Sequence, residues 1–418
     1  MRISSSTIYD VNVATLNQQQ SKMLYTQQQI STGRRLLTAA DDPAAAARAL
    51  ELMQSDSATT QYAKNIDATQ HLLASSEGTL QTVTTLLQDV HTTAVNAASM
   101  TLTNVDRKML ADGLQGRLDE LISLANTTDG IGNYLFSGFQ GKTQPFTNTA
   151  TGVQYMGDDG QRLGQVSANR QLAGSDSGAD IFMRIKNGSG TFIAQAPQVT
   201  VPQITPLNTG SGIISQGIVT NPAMVTGNNY RVDFTVAAGV TTYTVTDTTT
   251  LTQVLPPLPA TGVPFVSGQA ISFDGIQFDI QGAPANGDQF TITPSANESV
   301  FKTISDLINT LNTPIIAGNA ASSAQFTGNM NHALNSLDRS LDKVLTVRAS
   351  MGSRLSELDT LKSTGADLSL QYNQALSLLQ DVDYNKAITD LSQQKTTLEA
   401  AQKSFLQVQN LSIFNFMP

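Results

Sequence analysis

The sequence predicts an α+β protein of discontinuous architecture, in which long helices from both chain ends enclose a β-rich central insert. Three observations carry this. Ten of the 14 prolines lie between Pro197 and Pro294, so residues 44–144 and 315–417 contain none. Proline inside a helix costs about 3 kcal/mol, and proline-free stretches are where long helices can form. Those stretches carry apolar residues at alternating three- and four-residue steps, as a packed helix requires. The centre instead alternates apolar and polar residues between dense turn residues, and neither 187–230 nor 248–273 holds a charge.

At the start of the chain Val13, Leu16, Met23 and Ile30 repeat weakly, with Gln20 and Gln27 in the intervening slots. Asp42 is a natural N-cap and Pro43 suits a first helical position, so Pro43–Asp56 opens an alanine-rich helix. Further helical patterns cover Ala58–Ala98 and Asn104–Thr127. In the centre, Arg231–Val236 pairs with Thr241–Thr246 across a loop containing Gly239. Ile271–Phe273 and Ile276–Ile280 flank Asp274-Gly275, a strong two-residue hairpin signal. Phe290–Ile292 adds a strand. Towards the C-terminus Leu334, Leu337, Leu341, Val344, Met351, Leu355 and Leu358 form a heptad seam, with Arg348 filling one slot. The phase slips at Leu361 and resumes through Leu368, Tyr372, Ala375, Leu379 and Val382. A second slip falls at Asp381–Tyr384. The last run is Ile388, Leu391, Lys395, Leu398, Gln402 and Phe405. Seams this narrow, with Gln and Lys in them, need partner subunits to bury them fully.

Composition removes several function classes. The 418 residues hold no cysteine, so disulfides, thiolate metal sites and cysteine nucleophiles are excluded. Three histidines, far apart, do not make a metal centre. The net charge of −9 argues against nucleic acid as a partner. More than half of it sits in residues 151–300, which carry five basic and ten acidic side chains. The 40% hydrophobic share suits an elongated protein with thin seams. No apolar run approaches 18 residues, so membrane insertion is not expected. Residues 1–10 show no cleavable secretory signal. Those rules alone place the chain in the cytosol.

No catalytic constellation emerges, and no cofactor or metal site is expected. Asp41-Asp42 reads as helix capping and Asp158-Asp159-Gly160 as a turn lacking the further oxygen ligands calcium needs. No phosphate-binding loop occurs. Arg34-Arg35 is too small for a nucleic-acid footprint. His71, His91 and His332 have no evident co-ligands. An enzyme is the weakest reading.

Ser31-Thr32-Gly33-Arg34-Arg35-Leu36, followed by Ala39-Ala40-Asp41-Asp42-Pro43-Ala44, resembles the N-terminal signature of bacterial flagellins and flagellar hook-associated proteins. Within it Gly33, Arg34, Asp41, Asp42 and Pro43 form a turn and helix cap, where Gly33 permits the C-terminal cap of one helix and Asp42-Pro43 starts the next. Gly132–Phe139 leading into Thr143–Phe146, then Val153–Arg162, and the closing Asp383–Phe405 and Leu411–Asn415 are similar to the flagellar hook-associated protein 3 family. These are the hook–filament junction proteins of the flagellin superfamily. Ile271–Ile292 resembles a β segment recurring in hook-associated proteins.

The resemblance implies a layered subunit. Residues 1–40 and 381–418 would pair as a coiled coil in an inner tube. Residues 41–150 and 300–380 would form a helical bundle with a small β-hairpin near Tyr134–Phe146. Residues 151–299 would project outward as the β insert. It also implies an extracellular place in the flagellum, reached unfolded through type III export without signal cleavage, and this replaces the cytosolic expectation. The implied partners are hook-associated protein 1, flagellin, identical subunits in a ring, and an export chaperone. The implied mechanism is helix docking, Leu16, Met23 and Ile30 meeting Ile388, Leu391, Leu398 and Phe405. A flagellin-type filament subunit and an extracellular adhesin using the β insert are the alternatives.

Overall fold

The computed structural model describes residues 5–198, 207–257 and 259–410. The closing segment Leu411–Asn415 lies outside them. Among the described residues there are six α-helices: α1 (Ser5–Thr32), α2 (Pro43–Ala97), α3 (Asn104–Ala125), α4 (Val300–Asn312), α5 (Ala320–Gln380) and α6 (Tyr384–Asn410). The patterns at Pro43–Asp56 and Ala58–Ala98 are one helix of 55 residues. The helix runs through the junction at Ser57 without interruption, and just before it the Ser55 hydroxyl donates back to the Glu51 carbonyl at 2.9 Å. The slip at Leu361 likewise lies inside a continuous 61-residue helix. The slip at Asp381–Tyr384, by contrast, is a real break between α5 and α6.

Two compact units result, Met1–Ile66 with Asp359–Pro418, and Asp67–Leu358. In the second, helices bury strict heptad stripes. On α2 these are Leu73, Ser76, Leu80, Val83, Leu87, Val90, Ala94 and Ala97. On α3 they are Arg107, Ala111, Leu114, Leu118, Leu121 and Ala125. Thr103 starts α3 with a reciprocal capping box to Asp106. On α5, Leu337, Val344, Met351 and Leu358 are buried as expected, but the intervening slots hold Ser340 and Val347. Leu341 and Arg348 stand beside the seam. The Arg348 Nη2 pairs with Glu77 Oε1 of α2 at 2.7 Å, and Ser340 stays satisfied by donating to the Ser336 carbonyl.

The small hairpin is formed by β1 (Phe146–Thr149) and β2 (Gly152–Tyr155). It therefore lies later than the Tyr134–Phe146 position implied by resemblance. Residues 129–141 run as turns whose backbone groups find local partners instead of a ladder: Asp129 Oδ1 accepts the amides of Ile131 and Asn133, and the Tyr134 amide donates to the Gly141 carbonyl. Phe146 anchors an aromatic cluster with Phe182 and Phe301, ring centres 5.2–5.9 Å apart. A second two-stranded ribbon follows, β3 (Leu163–Ser167) with β4 (Arg170–Ala173).

The insert is entered and left through a short stem, where β5 (Ile185–Lys186) pairs with β16 (Asn297–Glu298). Beyond it, β6 (Phe192–Gln195), β9 (Tyr230–Ala237), β10 (Val240–Asp247), β11 (Thr252–Leu255) and β15 (Gln289–Pro294) make a sheet in the order β11-β10-β9-β15-β6. Its extra strand β12 (Val263–Pro264) lies on β10. The second sheet is β13 (Ala270–Phe273), β14 (Ile276–Gln281) and β7 (Ile213–Ile214), with β8 (Ile218–Val219) also on β14. The expected β9–β10 and β13–β14 hairpins both form. Asp274 and Gly275 adopt the positive φ values, 44° and 77°, of the two-residue turn between β13 and β14. Phe234, Phe290, Phe278, Ile280 and Val232 join one core shared by both sheets.

Candidate assembly interface

Helices α1 and α6 pack antiparallel. Tyr9 and Phe405 place their rings 5.4 Å apart at one end, and Arg34 and Asp381 form a backbone bridge at the other. Of the expected docking residues, Leu16, Met23, Ile30, Leu391, Leu398 and Phe405 are half-buried in this unit. Ile388 is not: it is 53% exposed, and Ala387, 6% exposed, takes its place. The start of α6 explains this. Asp383 caps it, its Oδ1 accepting the Lys386 amide at 3.1 Å, which turns Ala387 inward. The next residue then points about 100° away.

The same one-residue offset recurs along both helices. The slots between the apolar positions hold Gln19 and Thr26 on α1, and Gln394 and Ala401 on α6. Gln20, Gln27, Lys395 and Gln402, expected there, are exposed. Thr26 is buried and spends its hydroxyl on the Lys22 carbonyl. The Gln394 Oε1 is buried without a partner among the described residues. Meanwhile Val11, Leu24, Tyr384, Ile388 and Leu406 are all more than half exposed. Within α5, Leu368 also turns outward, and Ser369 donates instead to Asp56 Oδ1 of α2 at 2.6 Å.

The signature turn docks on the α5–α6 break. Gly33, at φ +70°, ends α1 in the left-handed conformation glycine favours. Its carbonyl accepts the Val382 amide at 3.0 Å, and the Arg35 amide donates to the Gln380 carbonyl at 2.6 Å. The Arg35 guanidinium adds a bond to the Leu379 carbonyl at 2.8 Å. Arg35 is thus a tie that sequence reasoning passed over for its exposed neighbour Arg34. Asp41 Oδ2 accepts the amides of Leu37 and Thr38 at 3.0 and 2.7 Å. Those donors, Thr38 foremost, hold its carboxyl below the usual range. Burial and the bond to Asp41 push the Tyr25 hydroxyl up. Asp42 Oδ1 caps α2 through the Ala45 amide at 3.0 Å, ahead of Pro43. Within this unit α1 and α6 are thus clamped where they meet the α5–α6 break, and their seam carries polar slots.

Among the described residues no three metal-ligating side chains converge, and no helix is long and apolar enough to cross a membrane. Residues 3–141 match the bacterial flagellin N-terminal helical region. Over 414 residues, 99% of either chain, the sequence is 27% identical to flagellar hook-associated protein 3 of Salmonella typhimurium. It is 31% identical to the flagellar junction protein FlgL of Legionella pneumophila, whose crystal structure matches with a TM-score of 0.71 over 80% of this chain and 100% of that one. The chain belongs to the flagellar hook-associated protein 3 family. FlgL of Xanthomonas campestris agrees, at 30% identity and a TM-score of 0.65 over 75% of this chain and 98% of that one. Within this family member the insert carries a further likeness: residues 206–294 match the D2-like domain of flagellar hook-associated protein 1. That match takes in β7 through β15 of the insert.

Proposed function

We infer that this hook-associated protein 3 family member is a structural adaptor that joins the flagellar hook region to the filament. The likeness to the Salmonella relative along nearly the whole chain carries this reading. Hook-associated protein 1 is the partner on one side and flagellin on the other, with identical subunits completing a ring. The layered division into 1–40 with 381–418, 41–150 with 300–380, and 151–299 belongs to the same proposal. The protein does its work by docking, without catalysis.

The α1–α6 pair supports the mechanism. Its inner seam, Leu16, Met23, Ile30, Leu391, Leu398 and Phe405, holds one hairpin together. Ile388, Leu406, Tyr384, Val11 and Leu24 remain open for neighbouring subunits. An exported, extracellular life fits a chain without cysteines, which meets no oxidative trap in transit. Deleting the gene tests the adaptor role: flagellin should then be exported into the medium without filaments being built. Filaments of normal length in the deletion strain would refute the reading. Subunit abundance separates an adaptor from a filament protein, which is made in great excess.

A further inference from the structure

His332 occupies an unusual place on α5, facing the stem through which the chain enters and leaves the insert. We propose that His332 is an acid-sensitive joint, whose protonation loosens the seat between the β5–β16 stem, α4 and the first turns of α5. This inference does not depend on the adaptor role.

The geometry is as follows. The His332 Nε2 is buried and has no hydrogen-bond partner among the described residues. Beside it lies a cleft of about 560 Å³, walled by the stem, α4 and α5. The stem contributes Glu298, whose two oxygens already serve as acceptors, one for the Asn187 amide at 3.2 Å and one for the Thr303 hydroxyl at 3.0 Å. Those two bonds tie the entering strand, the leaving strand and α4 together. From α4, Lys302 and Asp306 face the same space as an ion pair. From β6, only the uncharged Ile193 and Gln195 line it. From α3, the Arg107 guanidinium stacks on Phe326, 4.7 Å from its ring centre, closing the floor.

A neutral imidazole leaves one nitrogen unpaired here but brings no buried charge. An imidazolium there must either be desolvated or capture Glu298. Capturing Glu298 releases Asn187 and Thr303, and with them the stem. Burial already lowers the affinity of His332 for a proton, more than Glu298 and Asp306 raise it. The sign follows from linkage. A histidine that protonates less readily in the closed state stabilises that state above its ordinary value of about 6.5. Stability is lost as pH falls below that value, with the opening constant rising up to about tenfold per pH unit until the closed state itself takes up the proton.

The test uses the full chain. Hydrogen exchange of residues 297–303 and 322–333 is measured from pH 8 to pH 5, corrected for intrinsic rates, in the native protein and in His332→Gln. The expected result is protection that falls up to tenfold per unit below about pH 6.5 in the native protein and stays level in the variant. Level protection in the native protein, or an unchanged slope in His332→Gln, overturns the proposal. Should the variant fail to fold, the imidazole proton resonance of His332 in the native chain decides. A midpoint below 6.5 upholds the joint, and one at or above 6.5 overturns it.

Discussion

Leu398 and Ile388 show how much one residue position decides. Leu398 faces the α1–α6 seam, so Leu398→Asp puts a charge among apolar side chains. It should abolish assembly and motility while the 67–358 unit keeps its native circular dichroism. A motile strain with normal filaments would contradict this. Ile388 faces outward, and Ile388→Asp should shift monomer stability by no more than about 0.5 kcal/mol. The same change should still weaken filament attachment, as counted by electron microscopy, if the exposed stripe is the docking surface proposed above. Several carboxylates contribute to the acid limit, three of them at turns that hold the fold together. Asp41 is held below its usual range by the Thr38 amide, Asp158 by the Phe139 amide and Asp159 by Arg184. A carboxylate with a lowered folded value contributes stability that is present above about pH 4 and is lost as pH falls further. Thermal melts should therefore be level from pH 7 to about pH 5 with respect to these groups and decline below pH 4. Asp158→Asn should flatten part of that decline.

At the scale of elements, the loop between Tyr134 and Arg162 is built by close backbone approach. Gly138 has φ +71°, and a Cβ there would lie 2.4 Å from the Asp158 carbonyl oxygen. Gly138→Ala should cost at least about 2 kcal/mol, from left-handed strain plus the clash, measured as a lower urea midpoint. Asp158 accepts the Phe139 and Gly160 amides at 2.8 and 2.7 Å, and Arg162 donates to the Gly138 and Tyr134 carbonyls. These distant bonds explain why the hairpin sits at 146–155 and not earlier: 134–141 spends its backbone groups within the loop, on Thr127 and on residues 155–178. No local periodicity announces that, because the partners are some 20 residues away. Elements that depend on neighbours in sequence were legible, such as the turn at Asp274-Gly275 and the cap at Asp42-Pro43. The short strands β7 and β8 and the stem β5–β16 were not, being two residues each.

Across the whole molecule, stability is uneven. The 67–358 unit has fully buried leucines and phenylalanines, including Leu73, Leu80, Phe136 and Phe290. The α1–α6 pair has half-buried side chains and polar slots at Gln19, Thr26 and Gln394. Local opening is easiest where apolar burial is least. Limited proteolysis of dilute monomer should therefore cut α1 and α6 first and leave a resistant core that includes 67–358. Terminal helices that survive as long as that core would count against this order. In an assembled ring the same sites should become protected, since neighbours then bury the exposed stripe.

Proline placement, helix caps and heptad repeats by themselves determined the helical ends and the β centre, and the signature segments, by resemblance, pointed to the family. Each is written in neighbouring residues. The apolar repeats also named the positions seven apart: Leu16, Met23 and Ile30; Leu391, Leu398 and Phe405; Leu337, Val344 and Met351. They could not name the slot between, since steps of three and four fit a helix of 3.6 residues per turn almost equally well. Only the packed structure decided it, and it chose Gln19 over Gln20, Gln394 over Lys395 and Val347 over Arg348. The partner helix sets that choice: it leaves the Lys395 charge in water and the Arg348 charge on Glu77, and between the identical Gln19 and Gln20 packing alone decides.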